Sequence, residues 1–164
     1  MWARTLALVA ALSLGGCGFE PLYAEKDNGA PGLARVALAT LDAPEAMRPI
    51  IARAYARRSS GDASAAQYDL VLKTREAAER LAVQSDASVT RYNYRLIGDY
   101  SAVERASGRK FDGRVQAIAS FNVVNSQYST LFAEQAAKEK AATQLVSDIE
   151  RALLLQIEAA RNEE

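Results

Sequence analysis

The 164-residue chain carries 20 basic and 20 acidic side chains, one cysteine and no histidine, with 49% apolar and 24% charged residues. That composition belongs to a folded protein, and the length suits one domain with its own core. A balanced charge argues against nucleic-acid binding, which needs a basic footprint, while the missing histidine and lone cysteine remove the commonest metal ligand, any intrachain disulfide and any cysteine zinc cluster.

Residues 1–16 read as a removable lipoprotein signal. Arg4 is the cationic start, and Leu6–Leu12 with Ser13-Leu14 form the apolar run. That run is short of the roughly 20 residues a membrane-spanning helix needs. Leu14-Gly15-Gly16-Cys17 has the form of a lipobox: an aliphatic residue, two small residues, then cysteine. Small residues let the backbone enter a narrow peptidase site. The Cys17 thiol takes a diacylglycerol, and cleavage frees its amine for an N-acyl chain. Several chains are needed, because each buried CH₂ contributes about 0.8 kcal/mol and one chain holds only marginally. Gly18 rather than Asp after the cysteine points to the outer membrane, with the protein facing the periplasm. No other cofactor is implied.

Residues 17–32 read as a lipidated tether, since Glu25–Gly32 is polar and turn-rich. Residues 33–164 read as one domain. Leu33–Leu41 predicts a short strand. Asp42 with Glu45 resembles a capping box, and Pro44 or Pro49 suits the first turn of a helix ending near Arg58, with Ile50, Ile51, Ala54 and Tyr55 inward. Tyr68–Gln84, Ser88–Glu104 and Lys110–Val124 predict a three-stranded antiparallel meander with turns at Ser85-Asp86-Ala87 and Ser107-Gly108. A bulge or break is expected in Glu76–Glu79.

Centring the turns on Asp86 and on Ser107-Gly108 makes paired residue numbers sum to about 172 and about 215. Alternation then sends Tyr68, Leu70, Leu72, Tyr92, Tyr94, Leu96, Tyr100 and Phe121 to one face. Lys73, Arg75, Arg91, Arg95, Asp99 and Arg114 go to the other. Val71, Ile97 and Ile118 break the separation. A long helix from Tyr128 to about Ala160 follows, capped by Ser129 or Thr130, with Leu131, Phe132, Ala136, Leu145, Ile149 and Leu153 on its buried stripe. The expected fold class is α+β: a four-stranded, mostly antiparallel sheet with two helices on one face, in β-α-β-β-β-α order.

The stretch Cys17-Gly18-Phe19-Glu20-Pro21-Leu22-Tyr23 resembles the opening of the lipopolysaccharide-assembly lipoproteins, the LptE family. Arg91-Tyr92-Asn93, Ser120–Val124 and Ala133–Ala137 are similar to its shorter Gram-negative members, and the element order resembles its fold. The resemblance implies a non-enzymatic protein. Such a protein plugs and helps assemble the outer-membrane β-barrel LptD and assists lipopolysaccharide insertion into the outer leaflet. Its implied partners are that barrel, lipopolysaccharide and the outer membrane through the anchor.

Lipopolysaccharide is anionic, so a binder would use clustered Arg or Lys. Arg91 and Arg95, with Lys73 and Arg75 as neighbours in the expected register, are the candidate contacts. A solvated face with cross-strand ion pairs, such as Asp99 opposite Lys73, explains the same charges. Lys138 with Glu134 reads as an i,i+4 pair, and Lys140 as a further barrel-wall candidate. Arg53, Arg57 and Arg58 give the first helix a basic edge. Tyr92, Tyr94 and Tyr100 read as core, and Asn122 and Asn125 as turn residues. No HExxH, G-x-S-x-G or Walker-type loop is present. The competing reading is a periplasm-facing scaffold lipoprotein with another partner. A lipid-anchored hydrolase would need a paired Ser and Lys.

Overall fold

The computed structural model describes residues 32–59, 63–83, 89–123 and 126–162. The signal, Cys17, the tether before Gly32, the Ser85-Asp86-Ala87 turn and Asn125 lie outside the described residues. The elements are β1 (Val36–Asp42), α1 (Arg48–Ala56), β2 (Tyr68–Val83), β3 (Val89–Glu104), β4 (Lys110–Asn122) and α2 (Gln127–Asn162), and the sheet order is β1-β2-β3-β4. The β1-α1-β2 unit is a parallel crossover, and β2-β3-β4 an antiparallel meander. This is the α+β architecture expected.

β1 starts three residues later than the sequence pattern placed it. Gly32–Arg35 form a 3-10 turn instead. Leu33 and Val36 are both buried, and a spacing of three suits a 3-10 turn, whereas alternation would send them to opposite faces. The capping box also does not form. The cap of α1 is Met47, without a side-chain hydrogen bond, and Pro49 sits in the first turn. The Pro44 carbonyl accepts the Met47 and Arg48 N–H groups at 2.9 and 3.0 Å, which moves the helix start away from Asp42. Ile51, Ala54 and Tyr55 face inward, while Ile50 is only half-buried.

The β2–β3 register is as expected, with Tyr68 opposite Glu104 and Leu72 opposite Tyr100. The expected break at Glu76–Glu79 is absent, and irregularity falls at Arg80–Val83. Continuous pairing with β3 overrides the weak local propensity, and the Tyr94 hydroxyl donates to Glu76 Oε2 at 2.7 Å. Between β3 and β4 the paired numbers sum to 213, as in Arg91 opposite Asn122, rather than 215. The turn is Arg105–Ser107, closed by Gly108 at φ +73°, a conformation glycine adopts without steric cost. A slip of two preserves every facing, so the side chains sort as expected. Phe111, absent from the expected face, joins the core and meets Tyr68 edge-on at 6.0 Å.

α2 lies along β4 and β3, burying Ala141, Ala142, Leu145, Val146, Ile149 and Leu153 against Leu70, Leu72 and Leu96. Its cap is Ser126, whose Oγ accepts the Ser129 N–H at 3.3 Å, rather than Ser129 or Thr130. Leu131 and Phe132, expected inside, are each 58% exposed, and Tyr128 beside them is 70% exposed. The apolar stripe thus continues for a turn beyond the core it covers. No helix among the described residues is long and apolar enough to cross a membrane.

Candidate functional site

The four candidate cations divide into two groups. Alternation places Lys73, Arg75 and Arg95 on the outer face of the sheet, with Asp99 and Arg114. Arg75 sits opposite Ile97 and Arg95 opposite Ala77, so these two arginines are diagonal neighbours about 7–8 Å apart along the pleat. Lys73 is directly opposite Asp99. The expected Lys73–Asp99 ion pair is nevertheless absent. Asp99 Oδ1 accepts from Arg114 Nε, and Asp99 Oδ2 from Arg75 Nη1 at 3.2 Å. Two guanidiniums, each planar with several donors, occupy the carboxylate ahead of the lysine. They hold its pKa below the usual carboxylate range, the Arg114 hydrogen bond first. Arg75 is therefore partly neutralised within its own sheet.

Arg91 lies four residues along β3 from Arg95, about 13 Å in an extended strand. It is thus removed from the other three. It instead lines an open groove of about 270 Å³ where the end of β4 meets α2. Ser120, Phe121 and Asn122 form the strand side, and Ala133, Ala136, Ala137 and Lys140 the helix side. Phe121 is the aromatic residue of its lining, and Tyr92, directly opposite in the sheet, stacks on it at 5.6 Å with 13° between the ring planes.

The groove exists because the helix face beside β4 is made of alanines. Positions 133, 136, 137 and 140 follow i, i+3, i+4, i+7 spacing, so three methyls and then one ammonium line the edge. Arg91 and Lys140 are both exposed, and neither has a hydrogen bond or ion pair among the described residues. Among the described residues, no acidic side chain lines the groove. Two cations without an ionic partner among the described residues, with alanines, Phe121 and Asn122 in the same lining, suit an anionic group attached to apolar matter.

Sequence reasoning had Lys140 in view only as a contact with a barrel wall. The legible signal was the alanine spacing that ends on it. The partner across the groove was not legible, because it depends on where α2 crosses β4. The neighbouring Lys138 makes the expected pair with Glu134 at 2.6 Å. The basic edge of α1 is altered by one contact. Arg53 and Arg57 stay exposed, but Arg58 Nε donates to the buried Glu150 Oε2 at 2.6 Å.

No family model matches the chain, and no curated protein matches it. Solved structures do. Rare lipoprotein B from Shewanella oneidensis aligns with TM-score 0.58 at 10% identity, over 77% of this chain and 98% of that one. A candidate lipoprotein from Caulobacter crescentus CB15 aligns with TM-score 0.52 at 20% identity, over 76% and 92%. Lipoprotein B from Nitrosomonas europaea aligns with TM-score 0.53 at 10% identity, over 80% and 92%. At these identities the likeness is one of architecture, and the chain shares the fold of these lipoproteins.

Proposed function

We propose that this protein is an outer-membrane lipoprotein, acylated on Cys17 and facing the periplasm. Its domain plugs a large LptD-type β-barrel, helps assemble it and assists lipopolysaccharide insertion into the outer leaflet. The role is binding and steric, with no covalent chemistry. The observation that carries the ligand class is that Arg91 and Lys140, which have no ionic partner among the described residues, both line one groove. Phosphates and carboxylates of a lipopolysaccharide head group match that charge. The plug role is supported by the Cys17–Tyr23 opening and by a fold held in common with bacterial lipoproteins.

The test is a pull-down through a C-terminal tag from outer membranes in mild detergent. A stoichiometric large β-barrel is expected. Recovery of the lipoprotein alone, with the barrel intact in the same extract, overturns the plug role. In the same preparation, Arg91→Glu with Lys140→Glu should lower bound lipopolysaccharide about tenfold or more, because charge-assisted hydrogen bonds contribute about 1.5–3 kcal/mol each. Barrel recovery should not change. Unaltered lipopolysaccharide in the double variant would remove the groove from the mechanism.

A further inference from the structure

β1 covers only the first part of β2. Its last pairing is Asp42 with Lys73, after which Pro44 turns the chain toward α1. β2 continues to Val83, paired through this stretch with β3 alone among the described elements. Among the described residues, Thr74–Val83 is therefore a sheet edge of ten residues with no strand beside it, roughly 34 Å at strand rise. Its register against β3 is unbroken through Arg80, and irregularity begins only beyond it. α2 lies over β4 and β3, on the far side of the sheet from this edge. An open edge of this length presents a row of unpaired N–H and C=O groups, a template for another strand.

The charges of that edge match those of a second copy in two registers. Arg75-Glu76-Ala77-Ala78-Glu79-Arg80 reads the same in both directions. Two such strands placed antiparallel about a two-fold axis perpendicular to the sheet must centre on one residue, which keeps the helices of both copies on one face. Centred on Ala77, Arg75 of each copy falls opposite Glu79 of the other. Centred on Ala78, Glu76 falls opposite Arg80. Either way two reciprocal opposite-charge pairs flank a small residue. A shift to Glu76 or Glu79 as centre would set carboxylate against carboxylate, a repulsive arrangement. We propose that Thr74–Val83 is the pairing edge for a second copy of this chain, joining two sheets into one of eight strands. This goes beyond the plug reading and does not depend on it.

The test uses the full chain with Cys17→Ser, so that an introduced cysteine is the sole thiol. Ala77→Cys and Ala78→Cys place one thiol at each permitted centre, where opposed side chains come close enough for a disulfide. Under mild oxidation one of the two variants should form disulfide dimers, and Leu155→Cys, exposed on α2 away from any sheet edge, should not. If Ala77→Cys reacts, Glu79→Arg should abolish the dimer, and Arg75→Glu in the same chain should restore it. If Ala78→Cys reacts, Glu76→Arg and Arg80→Glu take those parts. Circular dichroism establishes that each variant is folded. Folded variants that give no more dimer than Leu155→Cys, with the unmutated edge sedimenting as a monomer at its highest soluble concentration, overturn the proposal. A disulfide to a different protein in membranes also overturns it, in favour of a foreign strand. A monomer leaves the Arg91–Lys140 groove untouched, so the two readings fail separately.

Discussion

Glu150 is 4% exposed, and the Arg58 guanidinium reaches it across the join between α1 and α2. Tyr55, whose hydroxyl donates to the Val36 carbonyl at 2.8 Å, feels the same carboxylate. Burial first, and Glu150 second, push its pKa above the ordinary tyrosine range. Removing Arg58 strands a buried carboxylate. Breaking a fully buried pair costs about 3–5 kcal/mol, and with the Arg58 side chain 36% exposed a loss of about 2 kcal/mol is expected for Arg58→Ala in urea unfolding. Arg58→Met with Glu150→Leu should recover most of it, since two apolar groups leave no orphan charge. Gly113 is the second sensitive residue. It lies directly opposite Tyr100, whose ring covers it so closely that a Cβ there would overlap the hydroxyl end of the ring. Gly113→Ala should displace Tyr100 and lower stability by about 1–3 kcal/mol, the usual range for overpacking, visible as a lowered urea midpoint.

Asp69 and Asp99 should contribute to the acid dependence of stability. Both carboxyls are held below their ordinary pKa by arginine hydrogen bonds, from Arg105 and from Arg114 respectively. A depressed folded value means stability that is fully present above the unfolded pKa, about 3.9, and lost as pH falls through the folded value. Stability should therefore decline below about pH 4. Asp69→Asn with Asp99→Asn should flatten that limb of the urea midpoint against pH, and a parallel limb would exclude these two groups as its source.

At the scale of elements, α2 is longer than the core it serves. Tyr128 and Phe132 touch each other at 4.5 Å and, with Leu131, leave an apolar end on the helix. In the proposed assembly that end is a contact surface rather than core. Leu131→Ser with Phe132→Ser should leave the urea midpoint within about 0.5 kcal/mol, as expected for exposed positions, while reducing barrel recovery in the pull-down. A matching loss of stability would return the two residues to the core. The same helix shows what periodicity can and cannot disclose. It identified Leu145, Ile149 and Leu153 because their spacing is a property of the helix alone. It also enrolled Leu131 and Phe132, because spacing carries no information about where the covered surface stops. The meander behaved similarly. Facing was legible because it depends only on parity, and a two-residue slip preserves parity. The exact partners across β3–β4 were not, because they depend on how many residues the Arg105–Gly108 turn consumes.

For the whole molecule, the sheet is a staggered stack in which β1 covers one end of β2 while the β2–β3 hairpin runs well past it. The order of elements was legible because each switch of period is bounded by prolines or turn residues. The candidate site was legible in part. Charge and alternation brought out Lys73, Arg75, Arg91 and Arg95, yet Asp99 holds one of these and Lys140 joins another, both through contacts between distant segments. The Arg58–Glu150 contact spans 92 positions of sequence. During synthesis from the N terminus, α1 leaves the ribosome long before the carboxylate that fastens it. The join between α1 and α2 is therefore complete only when the last helix is present. A chain cut short before Glu150 should leave Arg58 without its buried partner and the α1 end of the domain unsecured.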